Sequence, residues 1–226
     1  MSTFEPQYNV LLTLRDEIGL TSLGLMTNQV WEDDPRRLAF LLARYKFVGR
    51  MLADRRRVLE VGCGDGFGAR IVQQAGPDLT LLDADPLFIA DIEKRQSRKW
   101  PVKTMQHDVT GGPIPGSFDG IYSLDVIEHI AEAEEEKFMA NLVAPLTADG
   151  VVVIGSPSLQ SQAYASPASK AGHVNCKDEP GMRRLMQKFF TNVFIFSMND
   201  EVVHTGFYPM AHYLFALCCG PRKTAR

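Results

Sequence analysis

The sequence is poor in cysteine, and none of its four cysteines stand in a Cys-x-x-Cys pair. They are Cys63, Cys176, Cys218 and Cys219, and the adjacent last pair has poor geometry for a disulfide. A disulfide framework or a zinc site built on paired cysteines is therefore not expected. We predict a reduced protein, for which the cytoplasm is the default location.

Long apolar runs are also missing. The longest one near the C-terminus, residues 210–219, is interrupted by His212 and has about half of the roughly 20 residues that a spanning helix needs. Residues 1–9 do not combine a basic start with an apolar stretch, so no secretory signal is expected. We therefore predict no membrane span.

An excess of basic charge is a third absence, since 24 Lys and Arg stand against 27 Asp and Glu and the formal net charge is −3. Without a basic field, duplex nucleic acid is not an expected partner. What the chain does have is 226 residues, 45% of them hydrophobic. This is enough for one α/β domain with a sizeable core.

Short apolar runs typical of buried strands alternate with helical patterns along the chain. The predicted strands lie at 58–61, 79–82, 102–106, 120–124, 151–154 and 193–198. The predicted helices lie at 36–53, 68–74, 86–99, 126–146 and 179–189. The alternation predicts parallel βαβ units in a Rossmann-like, doubly wound α/β fold.

The last third has a different pattern. The strand at 193–198 is followed by a short polar connection and then by a mixed apolar stretch ending near Cys218. Two strands joined in this way form an antiparallel hairpin, because a parallel pair needs a long crossover. We predict a mostly parallel, seven-stranded sheet that finishes in a C-terminal antiparallel hairpin.

A glycine-rich segment, residues 62–68, follows the first predicted strand. Alternate glycines allow a tight turn and a close approach of backbone to a ligand. The segment also fits the G-x-G-x-x-A pattern of NAD-binding folds, although that pattern alone is weak. Glu60 just before the loop would repel a pyrophosphate but suits an ammonium or sulfonium. Asp83 ends the next strand, where an acid can accept hydrogen bonds from both ribose hydroxyls of a nucleotide-type ligand. NAD sites share this feature, so it does not separate the two kinds of ligand.

Five motifs follow one another between residues 58 and 158: VLEVGCGDGFG, LLDAD, HDV, FDGIYSLDVIEHI and GVVVIGSPS. This series resembles the ordered motifs of class I S-adenosylmethionine-dependent methyltransferases of the small-molecule, ubiquinone-type O-methyltransferase kind. The resemblance implies S-adenosylmethionine as cofactor and S-adenosylhomocysteine as product. An NAD-dependent oxidoreductase and a cofactor-binding protein without catalysis are the alternatives.

The resemblance also implies a set of cofactor-binding residues. They are Glu60, Gly62, Cys63, Gly64, Asp83, Ala84, Asp108, Val109 and Leu124. The loop residues would surround the methionine moiety, with the cysteine as a small filler. Asp83 would hold the ribose, with Asp85 as runner-up. Asp108 would bind the adenine amino group beside Val109, unless it is only a strand-end turn residue. Leu124 stands at the exit of the fourth strand, near the methyl donor.

A hydroxyl acceptor must lose a proton near the transition state, and histidine is suited to this near neutral pH. His129, after the fourth strand, and His173, after the fifth, are the candidate catalytic bases, although His129 could equally pack and orient its loop. Residues 123–126 read Ser-Leu-Asp-Val, without the Asn/Asp-Pro-Pro-Tyr motif of base-methylating enzymes. This favours a small-molecule, sugar or lipid hydroxyl as acceptor.

The run Asp125-x-x-Glu128-His129 resembles the E-x-x-E-H metal motif of small-RNA 3′-end 2′-O-methyltransferases, with His173 as a further ligand. Such hard ligands suit Mg²⁺. Similar Glu-His pairs are widespread in small-molecule methyltransferases, so our prediction is no metal. For the whole chain we predict an N-terminal helical cap on the substrate side, residues 1–57, and a methyltransferase core, residues 58–226. The oligomeric state is left open.

Overall fold

The computed structural model describes residues 3–222, so the ends of both predicted regions lie outside the described residues. The strands are β1 Arg57–Val61, β2 Asp78–Asp83, β3 Lys103–Gln106, β4 Phe118–Leu124, β5 Leu146–Pro157, β6 Phe190–Asn199, β7 Val202–His204 and β8 Tyr213–Pro221. The helices are α1 Asn9–Ile18, α2 Leu25–Asp33, α3 Arg36–Met51, α4 Ala69–Gln73, α5 Pro86–Lys94, α6 Glu135–Val143, α7 Pro167–Gly172 and α8 Glu179–Phe189. None of the helices between residues 3 and 222 has the length and apolarity needed to cross a bilayer.

All eight strands form one sheet in the order β3-β2-β1-β4-β5-β8-β6-β7. The first five strands in this order are parallel to one another, and β8 runs antiparallel to both β5 and β6. This confirms the predicted Rossmann-like α/β fold with an antiparallel C-terminal part. Residues 3–222 form eight strands instead of the predicted seven, because the polar connection after β6 turns the chain into the short β7. The last strand then inserts between β5 and β6.

Two predicted helices are shorter than the periodicity suggested. The segment predicted as a helix over 126–146 begins with two 3₁₀ turns, Ile127–His129 and Glu132–Glu134, and only α6 is α-helical. Likewise α5 ends at Lys94, five residues before the predicted end. There the side chain of Gln96 bonds to both backbone polar groups of Val102, which competes with helix formation.

The sheet is covered on both faces by apolar residues. On one face α6 and α8 pack against β1, β4 and β5, with Ile121 and Met186 fully buried. On the other face α3, α4 and α5 pack around Val48 and Val72. Because both faces are packed, the carboxyl ends of β1, β2, β4 and β5 are fixed at one edge of the sheet. The loops that leave this edge carry every residue predicted for the site except Glu60, Asp83 and Leu124, which lie on β1, β2 and β4.

Candidate functional site

The glycine loop is held against the end of β2. The backbone N–H groups of Gly62 and Cys63 donate to Leu82 O at 2.8 and 3.0 Å. Gly62 has φ +73°, and a Cβ there would lie 2.3 Å from Val126 Cγ2. Only glycine therefore fits at this point, and the loop lies close to the exit of β4.

Asp83, the predicted ribose ligand, also fixes the loop. Its Oδ2 accepts the Gly64 N–H at 2.9 Å and its Oδ1 accepts the Asp85 N–H at 2.9 Å. Each oxygen keeps a second lone pair for a ligand. Asp85 is engaged differently, since its carboxylate accepts the Leu87 N–H at 2.8 Å and caps α5. Between them, Ala84 is exposed.

Asp108 follows β3 at the same edge of the sheet. Its Oδ1 accepts both the N–H and the hydroxyl of Thr110, at 2.9 and 2.7 Å, and these bonds hold the pKa of the carboxyl below its usual range. This is the strand-end turn that the sequence left open, and the carboxylate is still exposed for a ligand. Val109 and Leu124 are buried beside it and at the end of β4.

Glu60 lies in the core beneath the loop instead of on an open wall. It is 1% exposed, and the hydroxyls of Tyr45 and Tyr122 donate to its two oxygens at 2.7 Å each. Burial raises the pKa of Glu60 to about 8. Its carboxyl thus joins α3, β1 and β4 and supports the loop from below. Burial also raises the pKa of the Cys63 thiol, in keeping with a small filler.

The structure brings His129 and His173 together, with ring centroids 5.1 Å apart in an edge-to-face arrangement. His129 Nδ1 donates to Gly172 O at 2.9 Å, and His173 Nδ1 donates to Gln162 Oε1 at 3.0 Å. When Nδ1 carries the proton of a neutral imidazole, Nε2 is left with a lone pair. Burial, and next the neighbouring imidazole, lowers the pKa of His173. This histidine is therefore neutral and able to accept a proton at pH 7.

Glu128 lies directly beside the two histidines. Its side chain is fully buried, and neither oxygen has a hydrogen-bond partner among the described residues. Burial, and to a lesser degree the charge of Asp125, raises the pKa of Glu128 to about 8. One ligand atom each from Glu128, His129 and His173 lie within 4.8 Å of one another. A carboxylate and two imidazoles at this spacing fit a divalent cation.

Asp125, the remaining candidate ligand of the predicted metal motif, is engaged elsewhere. Asp125 has φ +57°, and its two oxygens accept hydrogen bonds from Arg44 Nη1 at 2.8 and 3.0 Å. The Arg44 guanidinium lies 3.9 Å from the centre of the Tyr213 ring. Sequence reasoning missed Arg44 and Tyr213, because they lie 81 residues before and 88 residues after Asp125 and neither is part of a motif. Arg44 ties the N-terminal region to the exit of β4.

A cavity of about 610 Å³ opens beside His173, between the loop after β5 and α8. Its polar lining includes Gln162, Lys170, Asn175, Lys177 and Arg184. Beneath it, Lys177 pairs with the buried Glu135 at 2.6 Å, and Asn175 bonds to both partners. Glu135 is therefore a buried carboxylate with a charged partner.

The model of a methyltransferase domain family matches residues 58–150, which is the segment from β1 to the start of β5. Residues 58–150 form a methyltransferase domain of the class I S-adenosylmethionine-dependent kind. The family resemblance of the five motifs is thereby confirmed, and S-adenosylmethionine is the cofactor of this family. The NAD-binding alternative is not supported.

Curated relatives agree with this assignment. A probable S-adenosylmethionine-dependent methyltransferase of Mycobacterium tuberculosis is 29% identical over 119 residues, 51% of this chain and 42% of the relative. The mitochondrial ubiquinone biosynthesis O-methyltransferase of Schizosaccharomyces pombe is 24% identical over 155 residues, 64% of this chain and 56% of the relative. The chain thus spans about half the length of the curated relatives it matches.

A solved structure shows the same fold. The N-methyltransferase NodS from Bradyrhizobium japonicum, in complex with S-adenosylhomocysteine, has a TM-score of 0.63 at 20% identity. The match covers 84% of this chain and 93% of NodS.

Proposed function

We propose that this chain transfers the methyl group of S-adenosylmethionine to a hydroxyl group of a small, polar acceptor such as a sugar. The observation that carries the proposal is the pair of histidines, each oriented through Nδ1, beside a cavity with a polar lining. The polar lining favours a hydroxylated acceptor over a lipid chain. In this proposal residues 1–57 form the substrate-side cap and residues 58–226 the catalytic core.

The cofactor would bind at the carboxyl ends of β1 to β4, with Asp83 holding the ribose and Asp108 the adenine amino group. S-adenosylmethionine, when bound, supplies a methyl group already activated by a sulfonium. The protein therefore has mainly to align the acceptor oxygen and exclude water, which is worth on the order of 7–11 kcal/mol in favourable cases. Leu124 and the backbone of Gly62 and Gly64 would form the wall at the donor end.

The acceptor proton would move to Nε2 of His173 or His129 as the new oxygen–carbon bond forms. His173 is the better placed of the two, because it lines the cavity and is neutral at pH 7. Its bond to Gln162 Oε1 keeps the Nε2 lone pair available. General base catalysis of this kind contributes about 10²- to 10⁴-fold.

A metal-assisted form of the same reaction is a second candidate, favoured by the two unpartnered oxygens of Glu128. Glu128, His129 and His173 would hold the cation, which would lower the pKa of a bound hydroxyl. In that case the two histidines bind metal and do not take the proton. Our prediction of no metal stays a prediction.

The test is transfer of a labelled methyl group from S-adenosylmethionine to a panel of sugars, other polyols and phenols. We expect an alkali-stable methyl ether, with transfer reduced about 10²-fold or more in His173→Ala. Binding of S-adenosylhomocysteine, measured by calorimetry, should be unchanged in that variant. Lys137→Ala, on the exposed face of α6, is the control and should keep full transfer.

Three outcomes separate the alternatives. Transfer to nitrogen or to a carboxyl group would overturn the hydroxyl acceptor. Cofactor binding without transfer to any acceptor would favour the protein without catalysis. Loss of transfer in EDTA that Mg²⁺ or Mn²⁺ restores would replace the histidine base by the metal-assisted form.

A further inference from the structure

A second cavity, of about 700 Å³, lies on the other face of the sheet, between α4, the segment that follows α5 and the connector from α1 to α2. None of the nine predicted cofactor-binding residues and neither candidate base lines it. It touches the glycine loop only at Asp65–Phe67. At this point Gly66 faces Leu81 and Ile92, whereas Gly62 faces Val126 near the donor end. The cavity is therefore separate from the proposed reaction site.

The lining of this cavity is strongly unbalanced in charge. Its cationic residues are Arg70, Lys94, Arg95 and Arg98, and its one carboxylate is Asp65. That carboxylate is engaged, because its oxygens accept the N–H and the hydroxyl of Thr27 at 2.7 and 3.1 Å.

Three of the four cations have no acidic partner in the part of the chain that the structure describes. Arg95 pairs with Asp91 at 2.7 Å. Within residues 3–222, the other three, Arg70, Lys94 and Arg98, make no ion pair. These three positive charges meet in one concave surface of a chain whose net charge is −3. A cleft lined by one sign of charge concentrates the field and attracts ligands of the opposite sign.

The cavity also has a fixed aromatic wall. Arg70 Cζ lies 5.3 Å from the centre of the Trp100 ring, within the range of a cation–π contact. The segment that carries Trp100 is held in place by two hydrogen bonds. The backbone N–H of Trp100 donates to Ser97 Oγ at 3.3 Å, and the Gln73 side chain donates to Pro101 O at 2.6 Å. Arg70 is thereby oriented before any ligand binds.

We propose that this cavity is a binding site for a small ligand that carries phosphate groups, with Arg70 and Arg98 as its principal contacts. The planar donor fork of arginine matches phosphate oxygens in two-point contacts. The volume lies within the roughly 300–1,000 Å³ of small-molecule sites. Because Asp65, Gly66 and Phe67 line the cavity, a ligand bound there would lie against the glycine loop, to which Arg95 Nη2 donates a hydrogen bond at Asp65 O. The site does not depend on the proposed reaction.

The test uses protein saturated with S-adenosylhomocysteine, so that the adenosine pocket is filled. Inorganic tripolyphosphate and ATP are then titrated separately by calorimetry. We expect 1:1 binding of at least one of them, weakened tenfold or more in Arg70→Gln and in Arg98→Gln. Binding of tripolyphosphate would indicate a polyphosphate ligand. Binding of ATP alone would indicate a nucleotide that also contacts the Trp100 ring. Lys137→Gln, an equal loss of charge on α6, should change the affinity less than twofold.

Two results would overturn the proposal. One is no saturable binding of either probe up to millimolar concentration. The other is an equal loss of affinity in Arg70→Gln and Lys137→Gln, which would show non-specific attraction. Unchanged affinity for S-adenosylhomocysteine and an unchanged melting temperature establish that each variant is folded. Arg70→Lys keeps the charge without the fork and should fall between wild type and Arg70→Gln.

Discussion

Two buried carboxyl groups, Glu60 and Glu128, make the stability of the protein depend on pH. Burial raises the pKa of each to about 8, from a usual value of 4.5. Between these values the native protein holds protons that the unfolded chain releases. The free energy of unfolding therefore falls as pH rises from about 4.5 to about 8, and the loss is complete above that range.

Glu60→Gln tests this directly. The amide cannot ionise, so the contribution of Glu60 to the pH dependence, a slope of at most about 1.4 kcal/mol per pH unit, should disappear between pH 5 and 8. Urea unfolding of wild type and variant at each pH measures the difference. Parallel curves over this range would mean that Glu60 is ionised in the native protein. Asp119→Asn, in β4, is a control for a carboxylate that accepts only backbone N–H groups, those of Arg56 and Arg57 at the start of β1.

Asp83→Ala should weaken the binding of S-adenosylhomocysteine by about 1–3 kcal/mol, because hydrogen bonds to a charged group are lost and the Gly64 N–H is left without its acceptor. Calorimetric titration measures the change. Asp85→Ala is the comparison, and it should cost about 1 kcal/mol of stability through the lost cap of α5 with little effect on binding. The reverse order of binding losses would move the ribose role to Asp85.

How much of the site the sequence can predict depends on whether its residues are contiguous. The loop glycines, Asp83 and Asp108 stand in short motifs, and the structure places them at one edge of the sheet. Tyr122, by contrast, contacts Glu60 across 62 residues, and periodicity shows only that such a position is buried. Arg44 looks like any solvent-facing arginine of an amphipathic helix until the fold brings Asp125 to it. Such pairings arise from the packing of whole elements.

At the scale of elements, α2 is fastened to the glycine loop. Asp65 accepts the N–H and the hydroxyl of Thr27 in the first turn of α2, and Met26 lies over Gly64. A Cβ at Gly24 would lie 2.4 Å or less from the Asp65 side chain, so the close approach requires glycine there. By contrast, α1 has no buried residue. The sequence predicted a helical cap but not this attachment, which spans 38 residues.

Asp65→Ala should release α2 without unfolding the sheet. The loss of about 1–2 kcal/mol of local hydrogen bonding predicts amide exchange in α2 about tenfold faster, while exchange in β1 and β4 is unchanged. Hydrogen exchange read by mass spectrometry resolves the two regions. Asp33→Ala, at the exposed end of the same helix, is the matched control and should leave exchange in its first turn as in wild type. Equal acceleration throughout the molecule would show that Asp65 supports the whole fold.

For the whole molecule, β8 is the strand that joins the two parts of the sheet. It pairs along its length with β5 on one side and β6 on the other. Its side chains enter both cores, Ala216 on the face of α8 and Phe215 on the face of α3. The antiparallel end was predictable from the pattern of the last third, but the insertion of β8 was not, because strand order depends on the packing of distant segments.

Phe215→Ala should therefore destabilise the entire protein, by about 3–5 kcal/mol, in one transition. Phe194→Ala is the matched control, since Phe194 lies on the neighbouring strand but is 53% exposed, and it should cost less than about 1 kcal/mol. Tryptophan fluorescence and circular dichroism should report the same midpoint. Different midpoints would show that the antiparallel part unfolds separately.

The position of β8 also matters during synthesis. Until its residues leave the ribosome, β5 is an open sheet edge, with the row of unpaired N–H and C=O groups that invites association with other chains. The parallel half can form early, yet its edge at β5 stays unpaired until β8 arrives. We expect a nascent chain arrested before residue 213 to bind chaperones, and one released after residue 222 to escape them.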